Sequence, residues 1–322
     1  MRAVKISAKW WYMNELSGVI LAAGRGTRLF PITEKLPKPL VPIGDRTLIE
    51  YQLDILKELD INKCLVVIGH YGFEIAKLLG NGSKYGMQID YVEQKDPLGI
   101  ANALTYTAAK VNGRFLLMLG DIFFETGNIR SMLQLMQEKQ ANGILATKIE
   151  NNHNALKKNF AVYYDEEGLV YKVVEKPTML VNNIKGCGMY MFDSNIFEAV
   201  NRTPRTALRN EYELTDSIQI FIDLGYKVYY SNVISDDLNI TFLKDLFDIN
   251  MNWVKRHNNH AVFGENVEVG KNVELHNVVI GDNVKIEENV VLNNTLVLAD
   301  AHIEKDAEIT NAIVSRDNVL RI

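Results

Sequence analysis

From Phe263 onward, the apolar residues of this chain return mostly at every sixth position. The run passes through Val269-Gly270-Lys271-Asn272-Val273, Leu275, Ile280-Gly281-Asp282-Asn283-Val284, Ile286, Val290, Leu292, Leu296, Leu298, Ile303, Ala307, Ile309 and Ile313. A hexapeptide period of this kind stacks short strands into a solenoid, each coil covering the apolar face of the next. With three strands to a coil, about nine short strands make roughly three coils. Residues 262–322 are therefore expected to form a separate β-helix domain.

Upstream the pattern changes to strands alternating with helices. Apolar runs at Gly18–Leu21, Cys64–Gly69, Gln88–Glu93 and Phe115–Leu119 read as strands. Between them, Leu48 to about Leu59, Phe73 to Leu79 and Ile100 to about Lys110 read as helices. Phe160–Tyr164 and Leu169–Val174, joined by Asp165-Glu166-Glu167-Gly168, read as a hairpin, and Gly186–Phe192 and Val228–Tyr230 as further strands. This alternation predicts an α/β fold with a doubly wound, mainly parallel sheet over residues 14–250. Residues 1–13 lack the unbroken apolar stretch and cleavage site of a secretory signal and read as an extension. A surface or oligomer contact through Trp10 and Trp11 is the alternative.

The composition narrows the partners. A net charge of −5 over 322 residues leaves no basic excess for a nucleic-acid backbone. No apolar run is long enough to span a bilayer. The two cysteines, Cys64 and Cys187, have neither metal-site spacing nor a disulfide framework, so a cytoplasmic setting is expected.

The chemistry concentrates in Gly18-Val19-Ile20-Leu21-Ala22-Ala23-Gly24-Arg25-Gly26-Thr27-Arg28-Leu29, followed by Phe30-Pro31-Ile32-Thr33 and Pro37-Lys38-Pro39-Leu40. A glycine loop after a parallel strand presents backbone N–H groups where ligands of open α/β sheets bind. Arg28 and Lys38 add the positive charge that suits phosphates. The string is not a P-loop, because no Gly-Lys-Ser/Thr follows, and it is not a dinucleotide fingerprint, because Leu29 stands where the third glycine belongs. Asp121 ends a strand in Leu119-Gly120-Asp121, where a carboxylate can hold a magnesium ion between phosphates or simply cap a turn. Gln94-Lys95-Asp96-Pro97-Leu98-Gly99 is a turn before a helix, and Glu175-Lys176-Pro177 is by itself an ordinary charged pair. Thr215 or Asp216 can cap a helix begun at Glu211-Tyr212-Glu213-Leu214.

Together these segments resemble the sugar-1-phosphate nucleotidylyltransferases. That family carries Leu-Ala-x-Gly-x-Gly-Thr-Arg-Leu, Pro-x-Thr and Pro-Lys-Pro-Leu, and this chain matches every fixed position. The resemblance covers about residues 17–250, with a left-handed parallel β-helix like the one appended to many members over 262–322. It implies transfer of a nucleotidyl group from a nucleoside triphosphate to a sugar 1-phosphate, releasing pyrophosphate. Arg28, Lys38 and Lys176 are then catalytic. Leu21, Ala23, Gly24, Gly26, Thr27, Gln94, Pro97, Gly99 and Gly120 bind the nucleotide, and Ala161, Glu175, Lys176 and Gly186 the sugar phosphate. Asp121 and Asn239 hold Mg²⁺.

Two departures from the family pattern stand out. Ala161 occupies a position that is usually glycine. Asn239 occupies the position of the second metal-binding aspartate, with Asp237 as ligand if the alignment slips and Asp236 or Asp237 as a compensating charge. The Gln94 region looks more like thymidylyl and uridylyl members than guanylyl ones, so dTTP or UTP with glucose 1-phosphate is favoured. CTP or GTP with another sugar or alcohol phosphate is the alternative. The β-helix implies a homo-oligomer. Other classes weighed are a silent nucleotide-sugar sensor, an NAD-dependent dehydrogenase, and an acyltransferase using His276 or His302.

Overall fold

A computed structural model describes residues 16–157, 159–207, 210–257 and 260–322; the extension at 1–13 lies outside the described residues. In chain order the elements are β1 (Leu16–Ala22), β2 (Pro42–Ile43), β3 (Arg46–Thr47), α1 (Leu48–Glu58), β4 (Lys63–Ile68), α2 (Gly72–Leu79), β5 (Gln88–Glu93) and α3 (Ile100–Thr105). Then come β6 (Arg114–Leu119), β7 (Ile122–Thr126), α4 (Arg130–Glu138), β8 (Gly143–Ile149), α5 (His153–Leu156), β9 (Phe160–Tyr164), β10 (Val170–Glu175) and β11 (Ile184–Asp193). They are followed by α6 (Ile196–Arg202), α7 (Leu214–Asp223), β12 (Val228–Ser231), β13 (Ile234–Asn239) and α8 (Leu243–Arg256). The C-terminal strands are β14 (Ala261–Phe263), β15 (Glu268–Val269), β16 (Glu274–Ile280), β17 (Lys285–Ile286), β18 (Val291–Val297), β19 (His302–Ile303), β20 (Glu308–Val314) and β21 (Val319–Arg321).

The chain divides into two compact units. The first comprises residues 16–24 with Gln52–Asp237, the second Arg25–Tyr51 with Leu238–Ile322.

The first unit is built on a nine-stranded sheet in the order β10-β9-β11-β6-β1-β4-β5, with β8 added on β11 and β12 on β8. The run β6-β1-β4-β5 is parallel. β1, β4 and β6 are apolar almost throughout because helices cover both faces: Val19, Ile20, Val66, Val67 and Leu116 to Met118 are buried, whereas the edge strand β5 is mixed. From β11 onward the pairing becomes antiparallel, except for β12 on β8. The physical reason is connection length: β9 and β10 are joined by a short turn that admits only a hairpin. The core gathers Phe115, Phe160, Phe192 and Phe221 with Leu117, Leu145 and Ile218.

One helix is shorter than its sequence predicts. The apolar spacing after Gly99 suggests a helix to about Lys110, but α3 ends at Thr105. The Thr107 hydroxyl donates to the Leu104 carbonyl at 2.8 Å, and the Thr107 N–H donates to the same carbonyl at 3.0 Å. The backbone bonds thereby tighten into turns, an instance of a short polar side chain competing with the helix ladder.

The second unit contains the chain from Arg25 to Tyr51, α8 and the solenoid. The solenoid is a parallel β-helix. β14, β16, β18 and β20 form one sheet, closed by antiparallel β21, while β15, β17 and β19 form another. Each coil takes 17 residues, since Leu275 pairs with Leu292 and Leu292 with Ile309. Two hexapeptides and one pentapeptide make that coil. The short step falls where β16, β18 and β20 bend, at Asn277, Asn294 and Asn311, so each seven-residue strand serves two faces. Eight described strands, β14 to β21, thus stand where about nine short ones are expected.

Every corner is an Asn or Asp in the left-handed region. The stacks are Asn266, Asn283 and Asp300; Asn272, Asn289 and Asp306; and Asn277, Asn294 and Asn311. These residues tolerate that conformation better than other side chains. Each amide also donates to its counterpart one coil on, at 2.7 to 3.2 Å. Among the described residues the Oδ1 of Asn277 has no partner; His260 rather than Asn stands 17 residues before it. Replacing Asn294 by Ala should cost roughly 2–3 kcal/mol, combining backbone strain with lost ladder bonds. Asn294→Gly keeps the turn and should cost about half as much. Urea unfolding checks this; a glycine variant less stable than the alanine variant would refute the strain account, and a glycine variant as stable as the unaltered protein would refute the ladder account.

Candidate active site

In the first unit Leu21, Ala23, Gly24, Gly120 and Asp121, expected from the sequence to belong to the site, lie where β1 and β6 end, beside the end of β4. There, backbone packs on backbone. The Gly120 N–H donates to the Leu21 carbonyl at 2.9 Å. A Cβ on Gly120 would lie 2.6 Å from that oxygen, and one on Gly69 would lie 2.6 Å from the Ala23 carbonyl. This approach excludes side chains at positions 69 and 120 and sets their backbone against Ala23 and Leu21; Gly24 has open space around it. Gly69 belongs to the same arrangement. Its place at the end of an apolar run was the available sequence signal. Asp121 follows Gly120 in the link between β6 and β7 and is half-buried.

Gln94 is buried and donates from Nε2 to Asn102 Oδ1 at 2.9 Å. Pro97 is exposed in the loop that follows. Gly99 has φ of 109°, and a Cβ there would lie 2.6 Å from the Tyr212 carbonyl. The Tyr212 N–H donates to Leu98 O at 2.8 Å, and its carbonyl accepts from Ala101 N–H at 3.0 Å. The Glu211-Tyr212-Glu213 segment thus braces the Gln94–Gly99 loop.

Glu175 ends β10. Its Oε2 accepts from the Thr215 hydroxyl at 3.0 Å, and its Oε1 lies 3.9 Å from Lys176 Nζ. This corrects the expectation that Thr215 or Asp216 caps the helix: Glu213 occupies the N-cap of α7, and no side chain closes it. Asp216 lies in the first turn, where burial and then Glu213 push its carboxyl above the usual range. Lys176 adopts a left-handed backbone, φ 47°, uncommon for a lysine. Ala161 is buried with Leu156 and Tyr163, so its methyl packs in a small apolar cluster. On β11, a Cβ at Gly186 would overlap the Phe160 ring, which fills that space.

A buried ionic network joins β8, β11 and β13, and sequence reasoning missed it because its members are far apart in the chain. Lys185 Nζ lies 2.7 Å from Asp237. Lys148 Nζ lies 3.1 Å from Asp237, 2.9 Å from Asp236 and 3.5 Å from Glu150. Burial works against the charge on Lys148, but the Asp236 and Asp237 carboxylates outweigh it and raise its pKa. The Asp237 carboxylate is thus engaged by two ammonium groups.

In the second unit, Thr27 and Arg28 are exposed in the turn after Gly26. Gly26 has φ of 62°, and its carbonyl accepts from the Thr33 hydroxyl at 2.7 Å. Lys38 is buried, and its Nζ donates to Asn239 Oδ1 at 3.4 Å. The same oxygen accepts from the Thr241 hydroxyl at 3.2 Å. Asp245 then anchors the start of α8 by accepting from Thr241 N–H at 2.9 Å and Phe242 N–H at 2.7 Å. Asn250, fully buried on α8, accepts from Gly44 N–H and donates to the Pro42 and Leu246 carbonyls, each bond at 2.8 or 2.9 Å. It holds the β2–β3 hairpin that follows the Pro37-Lys38-Pro39-Leu40 segment.

His276 and His302 are exposed on the solenoid, beside Glu274 and Glu287 respectively. The His302 bond, with a Lys305 N–H, holds the Glu287 carboxyl below its usual range. Cys64 and Cys187 are buried free thiols. No helix among the described residues is long and apolar enough to cross a membrane.

The chain belongs to the nucleotidyl transferase family, whose model matches residues 17–255; the bacterial transferase hexapeptide model matches residues 260–294. It is 35% identical over 216 residues to a low-salt glycan biosynthesis nucleotidyltransferase of Haloferax volcanii, covering 66% of this chain and 59% of that protein. It is 31% identical over 212 residues to a glucose-1-phosphate thymidylyltransferase of Mycobacterium tuberculosis, covering 65% and 72%. The chain thus spans about three fifths of the archaeal relative's length. Its fold is like that of UDP-glucose pyrophosphorylase complexed with UDP-glucose, with a TM-score of 0.65 at 23% identity over 74% of this chain and 98% of that one.

The ionic network makes a stability prediction. Asp237→Leu leaves Lys185 charged and buried, and should cost about 3–5 kcal/mol. Adding Lys185→Met should recover most of that loss. A double variant no more stable in urea than Asp237→Leu alone would disprove the pairing as the cause.

Proposed function

We propose that this enzyme transfers a nucleotidyl group from a nucleoside triphosphate, dTTP or UTP, to a sugar 1-phosphate, glucose 1-phosphate, giving a nucleotide sugar and pyrophosphate. The observation that carries the proposal is the close backbone packing where β1, β4 and β6 end, Gly120 against Leu21 and Gly69 against Ala23, in a chain whose family is established. Relatives named for thymidylyl transfer to glucose 1-phosphate, and a fold neighbour holding UDP-glucose, support the choice of substrates. Residues 14–250 are taken as the catalytic domain and 262–322 as the β-helix. The β-helix is proposed to carry homo-oligomer contacts. The free thiols support a cytoplasmic setting, and the partners are small molecules, not nucleic acid.

In this reading no enzyme nucleophile is needed. An oxygen of the sugar phosphate attacks the α-phosphorus in line, the α–β bridging bond breaks, and pyrophosphate leaves with the electron pair. Positioning and charge stabilisation supply the rate. Arg28 and Lys38 hold the triphosphate and meet the charge that develops on the leaving group, with Leu21, Ala23, Gly24, Gly26, Thr27 and Gly120 as its backbone bed. Gln94, Pro97 and Gly99 take the base; the Gln94 amide offers the donor and acceptor a pyrimidine edge requires. Glu175 binds sugar hydroxyls beside Ala161 and Gly186, and Lys176 orients the attacking phosphate.

The donors present fit a hard cation held mainly by substrate. Among the described residues no group of three or more His, Cys, Asp and Glu side chains is arranged to hold a metal ion. One or two protein oxygens with substrate phosphates is the usual arrangement for Mg²⁺. Asp121 and Asn239 are the proposed ligands. Asp237 is engaged by Lys148 and Lys185, and Asn239 Oδ1 accepts from Lys38 and Thr241, so Asp237 stays as the alternative ligand and either oxygen would exchange partners to take the ion. Held by Asp121 and Asn239, Mg²⁺ would add positive charge at the reacting centre.

Pyrophosphate release should be seen with Mg²⁺, glucose 1-phosphate and dTTP or UTP, against CTP, GTP and ATP. Asp121→Ala should lower kcat at least about a hundredfold, the scale for losing one group that stabilises transition-state charge. Calorimetric binding of a triphosphate with no turnover across sugar phosphates would overturn the enzyme reading in favour of a nucleotide-sugar sensor.

A further inference from the structure

Gln52 is a polar residue in the middle of a buried stripe. Its neighbours on α1, Ile49, Leu53 and Leu56, have no exposed surface, and Gln52 itself is 1% exposed. An amide is costly there unless its hydrogen bonds are made. Its Nε2 donates to the Leu119 carbonyl at 2.8 Å and to the Ile122 carbonyl at 2.9 Å. Carbonyls only accept, so the amide nitrogen must face them and both its protons are committed. Oε1, on the other side, has no hydrogen-bond partner among the described residues.

The two carbonyls flank Gly120-Asp121, the link between β6 and β7. The Gly120 N–H is fixed from the opposite side by Leu21 O. The link is therefore tied at both ends and in its middle, and Gln52 provides two of the three ties. We propose that Gln52 is a positioning residue for Asp121: it fixes the Leu119–Ile122 link so that the carboxylate is presented to the metal ion in one orientation. This rests on the assignment of Asp121 as a metal ligand. A Gln with a purely structural role would supply the same stability without affecting how the metal is held.

The test measures Mn²⁺ binding to the full-length protein with dTTP, by electron paramagnetic resonance, beside pyrophosphate release as a function of Mg²⁺. Gln52→Met keeps the size and removes both donors. It should raise the Mn²⁺ dissociation constant and the Mg²⁺ activation constant about tenfold, the lower range for losing an outer partner of a metal ligand. KM for glucose 1-phosphate should change less than about threefold. Leu53→Ala, which weakens the same helix from its apolar side, should leave the Mn²⁺ constant unchanged. Should Gln52→Met fail to fold, Gln52→Glu replaces it; its buried, protonated carboxyl can donate once, so an intermediate rise is expected. An unchanged Mn²⁺ constant in the Gln52 variant, or an equal rise in Leu53→Ala, overturns the proposal. If Asp121→Ala binds Mn²⁺ as the unaltered protein does, the metal assignment fails first. If Asp121→Ala loses Mn²⁺ while the Gln52 variant keeps it, only the positioning role fails.

Discussion

Backbone groups at the ends of parallel strands must find partners, and much of this structure follows from how they do so. At the ends of β1, β4 and β6 the chain brings peptide against peptide, which only glycine permits at 120 and 69. Where peptides cannot answer one another, buried amides do. Gln52 takes the carbonyls on either side of Gly120-Asp121 in the first unit. Asn250 takes Pro42, Gly44 and Leu246 in the second. Each amide is placed by a helix whose remaining inward residues are apolar, so hydrophobic packing fixes the amide and the amide fixes a loop. Polar groups buried with good geometry specify a conformation more than they stabilise it.

The solenoid solves the same problem by repetition. Its strands are short, and its corners would strain most residues. Asn and Asp accept the left-handed conformation, and their side chains bond along the stack. The 17-residue coil follows from one shortened corner, at Asn277, Asn294 and Asn311, on the strands that pack beside α8. Val279, Leu296 and Ile313, one in each coil, are buried there even though their neighbours Val278 and Val297 point into the solenoid core. A face covered on both sides has to be apolar on both sides, so the simple six-residue rhythm breaks there.

The limits of what the sequence made legible have the same origin. The strand and helix order, the glycine loop, Leu119-Gly120-Asp121 and the hexapeptide run are local patterns, readable from neighbouring residues. The end of α3 depended on Thr107 bonding back to Leu104, a choice that apolar spacing does not encode. Thr215 looked like a cap because its local context is a helix start, yet its hydroxyl turns to Glu175, 40 residues away. Lys148, Lys185 and Asp237 are each an ordinary charged residue in sequence and become a network only when three strands meet. Gln52 did leave a mark: a lone amide on the buried stripe of an amphipathic helix asks what it bonds.

The Asn239 departure and the Gln52 bonds bear on one another through charge. Under the proposed roles, a donor pair of one carboxylate and one amide carries a single negative charge, where the family pattern carries two. A neutral amide oxygen is a weaker partner for a hard cation, so the strength of the protein's hold falls more heavily on Asp121. A carboxylate free to sample several orientations loses entropy on binding; one whose backbone is pinned loses less. Loss of charge can therefore be offset by gain of order. Gln52 answers the two carbonyls that flank Gly120-Asp121, at the cost of an Oε1 with no partner among the described residues, so the bonds that settle these backbone groups are the same bonds that tie down the Asp121 link.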